Sequence, residues 1–184
     1  MKITKLNSRQ RIAGPKSNGQ VPIKLDLSFG ELPVGHPFVR PNGFDPCRFP
    51  WTHFADASVS EAYSAYLLNR IPGNQRPAFM DELWRVLMPR SRAMFIVPYW
   101  NSARSVQDPF SEWPPLCEQS FLYFNKQWRE QQKLPYKMKC DFDFSYGYAY
   151  DPETQGRPDD TRAFWVKHYC NSAQDLQVVL IKKP

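Results

Sequence analysis

Apolar residues recur along this chain in three rhythms, and each marks a stretch of regular structure. From residue 76, Phe79, Met80, Leu83, Trp84, Val86 and Leu87 fall on one broad stripe while Asp81, Glu82 and Arg85 take the opposite side. That is the spacing of an amphipathic helix, and Pro89 is the residue expected to stop it. The run Ala93-Met94-Phe95-Ile96-Val97 then continues without polar alternation up to Pro98, which predicts a strand buried on both faces. Helix, tight turn and buried strand are the αβ half of a doubly wound sheet.

A period of two appears elsewhere. Ile23, Leu25 and Leu27 alternate with Lys24, Asp26 and Ser28, predicting a first strand over 21–29 that Gly30 breaks. Five prolines with Gly35 and Gly43 make 31–50 a loop. Over 140–150, Cys140, Phe142, Phe144, Tyr146, Tyr148 and Tyr150 alternate with Asp141, Asp143, Ser145 and Gly147. Such an aromatic face can stack bases, but the alternating acids favour packing over a phosphate partner. A last strand over 173–182 is built on Leu176, Val178, Val179, Leu180 and Ile181. Two further helices are predicted. One runs over 116–133, with Cys117, Phe121, Phe124 and Trp128 inward and Lys126, Gln127, Arg129, Glu130 and Gln131 outward. The other opens at Pro158-Asp159-Asp160 and ends near Tyr169, with Asn171 as its C-terminal cap. Residues 58–65 stay open on pattern alone, because Ser58 and Glu61 have the spacing of a helix capping box.

Composition narrows the function classes. A chain of 184 residues suits one sizeable core and is short for two domains. No apolar run approaches the ~18 residues of a membrane span, and residues 1–20 lack the apolar core of a signal peptide. The expectation is a soluble, cytoplasmic protein with no membrane partner. Cys47, Cys117, Cys140 and Cys170 are as scattered as His36, His53 and His168. A zinc site needs close ligand pairs, so no metal is expected and the thiols read as free. The net charge of +6 is unevenly spread: Lys2, Lys5, Arg9, Arg11 and Lys16 supply five charges within 1–20, where there is no acid. The other 164 residues hold 19 basic against 18 acidic side chains. Residues 1–20 therefore read as a basic flexible tail ahead of a domain over 21–184. It is able to meet nucleic-acid phosphates or an acidic protein surface, or to stay solvated without a partner. No Ser/His/Asp, Cys/His or phosphate-loop arrangement has usable spacing.

Several of these stretches also carry a family likeness. RPAFMDELWRVLMPRSRAMFIVPY resembles the "F-x-E-x-x-RVL-K-PGG, strand, P" segment of class I S-adenosylmethionine (SAM)-dependent methyltransferases, in a type 11-like form. FADASV and SFLYFNKQWRE extend the resemblance, which covers about residues 21–184. It implies a Rossmann-like α/β sheet, mostly parallel with antiparallel C-terminal strands, and places a parallel strand at 59–65. Leu25-Asp26-Leu27-Ser28-Phe29-Gly30 stands where the family has LDLGCG, and Gly43-Phe44-Asp45 resembles its G-V-D at the end of strand two. The resemblance thus implies Asp26, Ser28, Phe29 and Gly30 against the amino-acid part of SAM and Asp45 on the ribose hydroxyls.

The likeness departs at other landmarks. Only Pro46-Cys47-Arg48 separates Asp45 from Phe49-Pro50-Trp51, so the third strand and its adenine-side acid are missing and the early βα region is shortened. Asn69-Arg70 replaces a Glu-His pair, Pro89-Arg90-Ser91-Arg92 replaces P-G-G-K, and Asp108-Pro109-Phe110-Ser111 replaces D-P-T-H. Phe29 stands where the methionine moiety needs space. Core positions follow the family and cofactor positions mostly do not. Two expectations follow from the resemblance. One is a divergent methyltransferase, its activity weakened or lost, acting on an unidentified acceptor, with Tyr99 and Trp100 at the sheet edge either holding a planar substrate or packing a loop. The alternative is a pseudo-enzyme, an inactive scaffold of bacterial or phage origin, particle-associated, docking through its basic tail.

Overall fold

A computed structural model describes residues 22–30 and 37–184. The tail cations Lys2, Lys5, Arg9, Arg11 and Lys16, the predicted strand start at Val21, and Gly35 and His36 lie outside the described residues. Five strands form one sheet: β1 (Ile23–Asp26), β2 (Val59–Ala65), β3 (Leu87–Pro98), β4 (Phe142–Tyr150) and β5 (Ala173–Lys182), in the order β1-β2-β3-β5-β4. β1, β2 and β3 run parallel, whereas β5 is antiparallel to β3 and β4 antiparallel to β5. This is a Rossmann-like α/β sheet, mostly parallel early and antiparallel at its C-terminal strands.

The early βα region is short. On the edge of β1 away from β2, Leu25 makes one parallel bridge to Val39, through Asp26 N to Val39 O and Val39 N to Lys24 O, each 2.9 Å. The chain therefore steps to one side of β1 for one bridge and then crosses to the other side for β2. Strand order reverses at β1.

Helix α1 (Arg76–Val86) connects β2 to β3, burying Phe79, Met80, Leu83 and Val86 on the stripe the sequence predicts. Pro89 does not end it. The chain turns extended at Leu87 (φ −65°, ψ 140°) and enters β3 directly, so residues 89–92 belong to a strand, bent at Arg90 with φ 66°. Phe79 lies 5.3 Å from Trp51 and 6.4 Å from Phe95, and Phe121 links Phe95 to Phe144 at 6.3 Å each. These rings hold α1 and the 116–131 region over one face of the sheet, where Leu25, Ala62, Phe95, Val178 and Leu180 are fully buried. Each of the Leu, Phe and Val side chains contributes roughly 1.5–3 kcal/mol. On the opposite face Tyr63, Met94, Ile96, Val179 and Ile181 remain half-buried. The strand expected to be buried on both faces is buried on one.

The helix predicted over 116–133 is broken. A 3₁₀ helix (Glu118–Phe124) is followed by extended Asn125 (φ −97°, ψ 119°), and then by a helix at Lys126–Gln131, which we number α3 after α2 (Arg104–Gln107). Asn125 Oδ1 accepts from Trp128 N at 2.9 Å, an N-cap in mid-pattern. Arg129, expected outward, is only 4% exposed and donates to the carbonyls of Tyr123, Met138 and Cys140. Beyond β4, α4 (Pro152–Gln155) and α5 (Asp159–His168) lead to β5. Asn171 (φ 62°) does not cap α5; its side-chain oxygen accepts from Ala103 N at 2.6 Å.

Candidate functional site

In open α/β sheets, ligands enter at the carboxyl ends of the strands where strand order reverses, because the diverging connections leave a crevice there. That point is the tip of β1. Asp26, the last residue of β1, is 4% exposed; its Oδ1 accepts from Ser28 N at 2.8 Å and its Oδ2 from Arg40 Nη2 at 2.9 Å. The same Arg40 nitrogen donates to the Ser28 carbonyl. Ser28 Oγ accepts from Ala65 N at 3.0 Å, and Phe29 N donates to Ala65 O at 2.8 Å, so the turn after β1 stays tied to the end of β2. Gly30 has φ 82° with open space where a Cβ would stand, a backbone state that favours glycine and leaves room for close approach.

Phe29 does not fill this crevice. Its side chain turns outward, 54% exposed, with the Arg70 guanidinium 3.6 Å from its ring centroid. Arg70 in turn pairs with Asp108. Asp45 stands in the loop between Val39 and β2. It is exposed, accepts from Cys47 N at 2.9 Å in a side-chain turn, and lines a concavity of about 260 Å³ with Arg48, Phe49, Trp51 and His53. Asp26, Ser28, Phe29 and Gly30 are not among that concavity's walls. Hydrogen bonds thus tie Asp26 to Ser28 next to Gly30, and Asp45 lines the concavity.

Two polar groups line the same end of the sheet. Asp175, near the start of β5, is buried; its Oδ2 accepts from Tyr66 Oη at 3.1 Å and Arg104 Nη1 at 2.8 Å, while Oδ1 has no hydrogen-bond partner. Burial pushes its carboxyl up against the pull of Arg104. Glu118 Oε1 accepts from Tyr99 Oη at 3.2 Å and from Tyr148 Oη. Burial, then Glu118, pushes Tyr99 up to about 12 and moves Tyr148 the same way, so both phenols are hydrogen-bond donors at neutral pH. Tyr99 therefore packs, 5.2 Å from the Tyr148 ring, and Trp100 is the exposed aromatic at this edge.

Pattern reasoning missed Arg40, Glu118 and Asp175. Asp175 carried a signal, the one acid in β5. Arg40 carried none, since it stands in a stretch without periodicity. Among the described residues no three His, Cys, Asp or Glu side chains group to hold a metal, and Cys140 is a buried thiol pushed up to about 12, chiefly by burial. No helix among them is long and apolar enough to cross a membrane. The arrangement suits holding a ligand in place rather than attacking it covalently. The β1 tip offers a carboxylate for an ammonium and a glycine turn for close backbone approach.

No family model matches the chain, and no curated protein sequence matches it. Solved structures with a similar fold include a SAM-dependent methyltransferase from Archaeoglobus fulgidus (10% identity, TM-score 0.49, covering 76% of this chain and 66% of that one). Another is geranyl diphosphate C-methyltransferase from Streptomyces coelicolor, in complex with Mg2+, geranyl diphosphate and S-adenosylhomocysteine (9%, TM-score 0.44, 77% and 52%). A third is phosphoethanolamine N-methyltransferase 2 from Haemonchus contortus, in complex with phosphomonomethylethanolamine and S-adenosylhomocysteine (11%, TM-score 0.37, 76% and 36%). The chain spans two thirds of the length of these proteins at most. Its fold assignment follows from its own strand order, strand directions and switch point.

Proposed function

We propose that this chain is a divergent, type 11-like SAM-dependent methyltransferase, binding SAM weakly at the carboxyl end of β1 and transferring its methyl group to an unidentified acceptor. In this reading Asp26 takes the ammonium of the amino-acid end, with the backbone of Ser28, Phe29 and Gly30 beside it. Asp45 takes the ribose hydroxyls, and the aromatic walls of its concavity meet the base. The observation that carries the reading is the buried Asp26 carboxylate beside a positive-φ glycine turn, at the point where strand order reverses. Bound SAM would supply the activated methyl group. The chain's own part is to bind and orient, which needs no side-chain nucleophile.

Calorimetric titration with SAM and S-adenosylhomocysteine tests this. The wild type is expected to bind both, and Asp26→Asn to weaken binding at least about tenfold by removing a charge-assisted contact. Asp45→Ala is expected to weaken it as well. Absence of binding in cooperatively folded wild-type protein would retire the reading.

One observation favours the second reading, an inactive scaffold: Arg40 already satisfies Asp26. A scaffold docking through Lys2, Lys5, Arg9, Arg11 and Lys16 would bind nucleic acid or an acidic protein surface in a salt-sensitive way, and lose that binding when residues 1–20 are deleted.

A further inference from the structure

The seat at the tip of β1 already holds a cation, and that cation belongs to the chain itself. One guanidinium nitrogen of Arg40 takes the outer oxygen of Asp26 and the carbonyl of Ser28, while Ser28 N takes the inner oxygen. Asp26 is buried, its side chain 6% exposed, and Arg40 reaches it from the surface with 30% of its side chain exposed. The α-ammonium of SAM or S-adenosylhomocysteine is a second cation that needs the same carboxylate. Two cations cannot share one buried carboxylate without uncompensated positive charge, which is costly in a low-dielectric site. Occupation by Arg40 and by a cofactor ammonium is therefore mutually exclusive.

The mounting of Arg40 suits it to leave. It follows Val39, whose two backbone hydrogen bonds are the whole of the single bridge to β1. On the other side of β1, β2 pairs over four register positions. Phe38 packs 5.6 Å from the Tyr63 ring and under the Lys24 ammonium at 5.7 Å, and Pro41 follows. Among the described segments beside β1, the one carrying Arg40 is held by the fewest ladder bonds, and segments so held open at the lowest cost. Phe29, the residue the sequence offered as an obstacle, points away.

We propose that Arg40 is an autoinhibitory latch: a resident competitor for the cofactor's ammonium that must release Asp26 before SAM can seat. The inference rests on the SAM reading given above. No covalent bond changes; one ion pair is exchanged for another, and apparent cofactor affinity is reduced by the fraction of molecules that are latched.

The test is titration of wild type, Arg40→Ala and Arg40→Gln with S-adenosylhomocysteine and with 5′-methylthioadenosine, which has the nucleoside but no amino-acid end. Arg40→Ala is expected to tighten S-adenosylhomocysteine binding by roughly tenfold or more, the bias a charge-assisted pair places on an open–closed equilibrium. Binding of 5′-methylthioadenosine is expected to stay unchanged. Arg40→Gln keeps a donor for Asp26 without the charge, is expected to show a smaller gain, and serves if the alanine variant fails to fold. Equal tightening of both ligands would overturn the latch, since it would report general loosening. Binding by wild type that neither variant improves overturns the latch and leaves the SAM reading standing. No S-adenosylhomocysteine binding by any of the three proteins overturns both.

Discussion

Glu82 and Arg85 lie on the side of α1 that the apolar stripe leaves polar, and they are not idle there. Arg85 bonds to Glu82 Oε2 at 2.8 Å, to the carbonyls of Trp51 and Phe54 at 3.0 Å each, and to Asp56 at 2.7 Å, while Glu82 accepts from Trp51 N at 2.8 Å. Periodicity marked both residues as facing away from the sheet but could not indicate that a loop from 51 to 56 packs against them. The Arg85 guanidinium holds the Glu82 carboxyl below its ordinary value of 4.5 despite burial, which acts the other way. A carboxyl whose folded value is depressed contributes stability above its unfolded value and loses it as pH falls through the folded one. The melting-temperature gap between wild type and Glu82→Gln is therefore expected to be full at pH 7 and to close as pH drops below about 4.5. A gap constant from pH 7 to pH 3 would separate Glu82 from the acid sensitivity of the fold. Arg40 is the harder case at this scale. Its partner Asp26 is fourteen positions away across one bridge, and nothing in the surrounding residues 37–41 has a period that announces pairing.

At the scale of elements, the strands were legible and the long second helix was not. The parallel strand placed at 59–65 by family resemblance and the apolar strand at 173–182 coincide with β2 and β5. Period two leaves little freedom once one face is buried, because a one-residue slip would turn every apolar side chain outward. The 116–133 stretch kept a helical stripe through Phe121, Phe124 and Trp128, and that stripe concealed Asn125. Asn125 is 5% exposed; besides capping Trp128 N it donates to Phe142 O at 2.9 Å and Asp143 Oδ1 at 3.1 Å, pinning the break to the start of β4. An asparagine amide that serves a cap and a strand at once outweighs the propensity of a few residues. Asn125→Ala removes the cap and leaves the Phe142 carbonyl without this donor. It is expected to cost about 1–3 kcal/mol, read as a lower urea midpoint with unchanged slope. An unchanged midpoint would mean that the break is set by chain connectivity instead.

Over the whole molecule, two asymmetries define how the sheet is used. One face is sealed by α1 and the aromatic chain Phe79–Phe95–Phe121–Phe144, while the central residues of the other face stay half-buried. Along the strands, the carboxyl end carries two polar groups, Asp26 with Arg40 at β1 and Asp175 with Tyr66 and Arg104 at β5. The Rossmann-like class was legible from element order and family resemblance. The state of the cofactor end was not, because it depends on one cation arriving from the far side of β1. The most direct measurement is residue-resolved amide hydrogen exchange with and without saturating S-adenosylhomocysteine. The account expects slower exchange at Leu27, Ser28 and Phe29 as the turn closes on the ligand. It expects faster exchange at Val39, whose N–H is bonded to Lys24 O until Arg40 lets go. Unchanged exchange at all four amides in protein saturated with the ligand would contradict it.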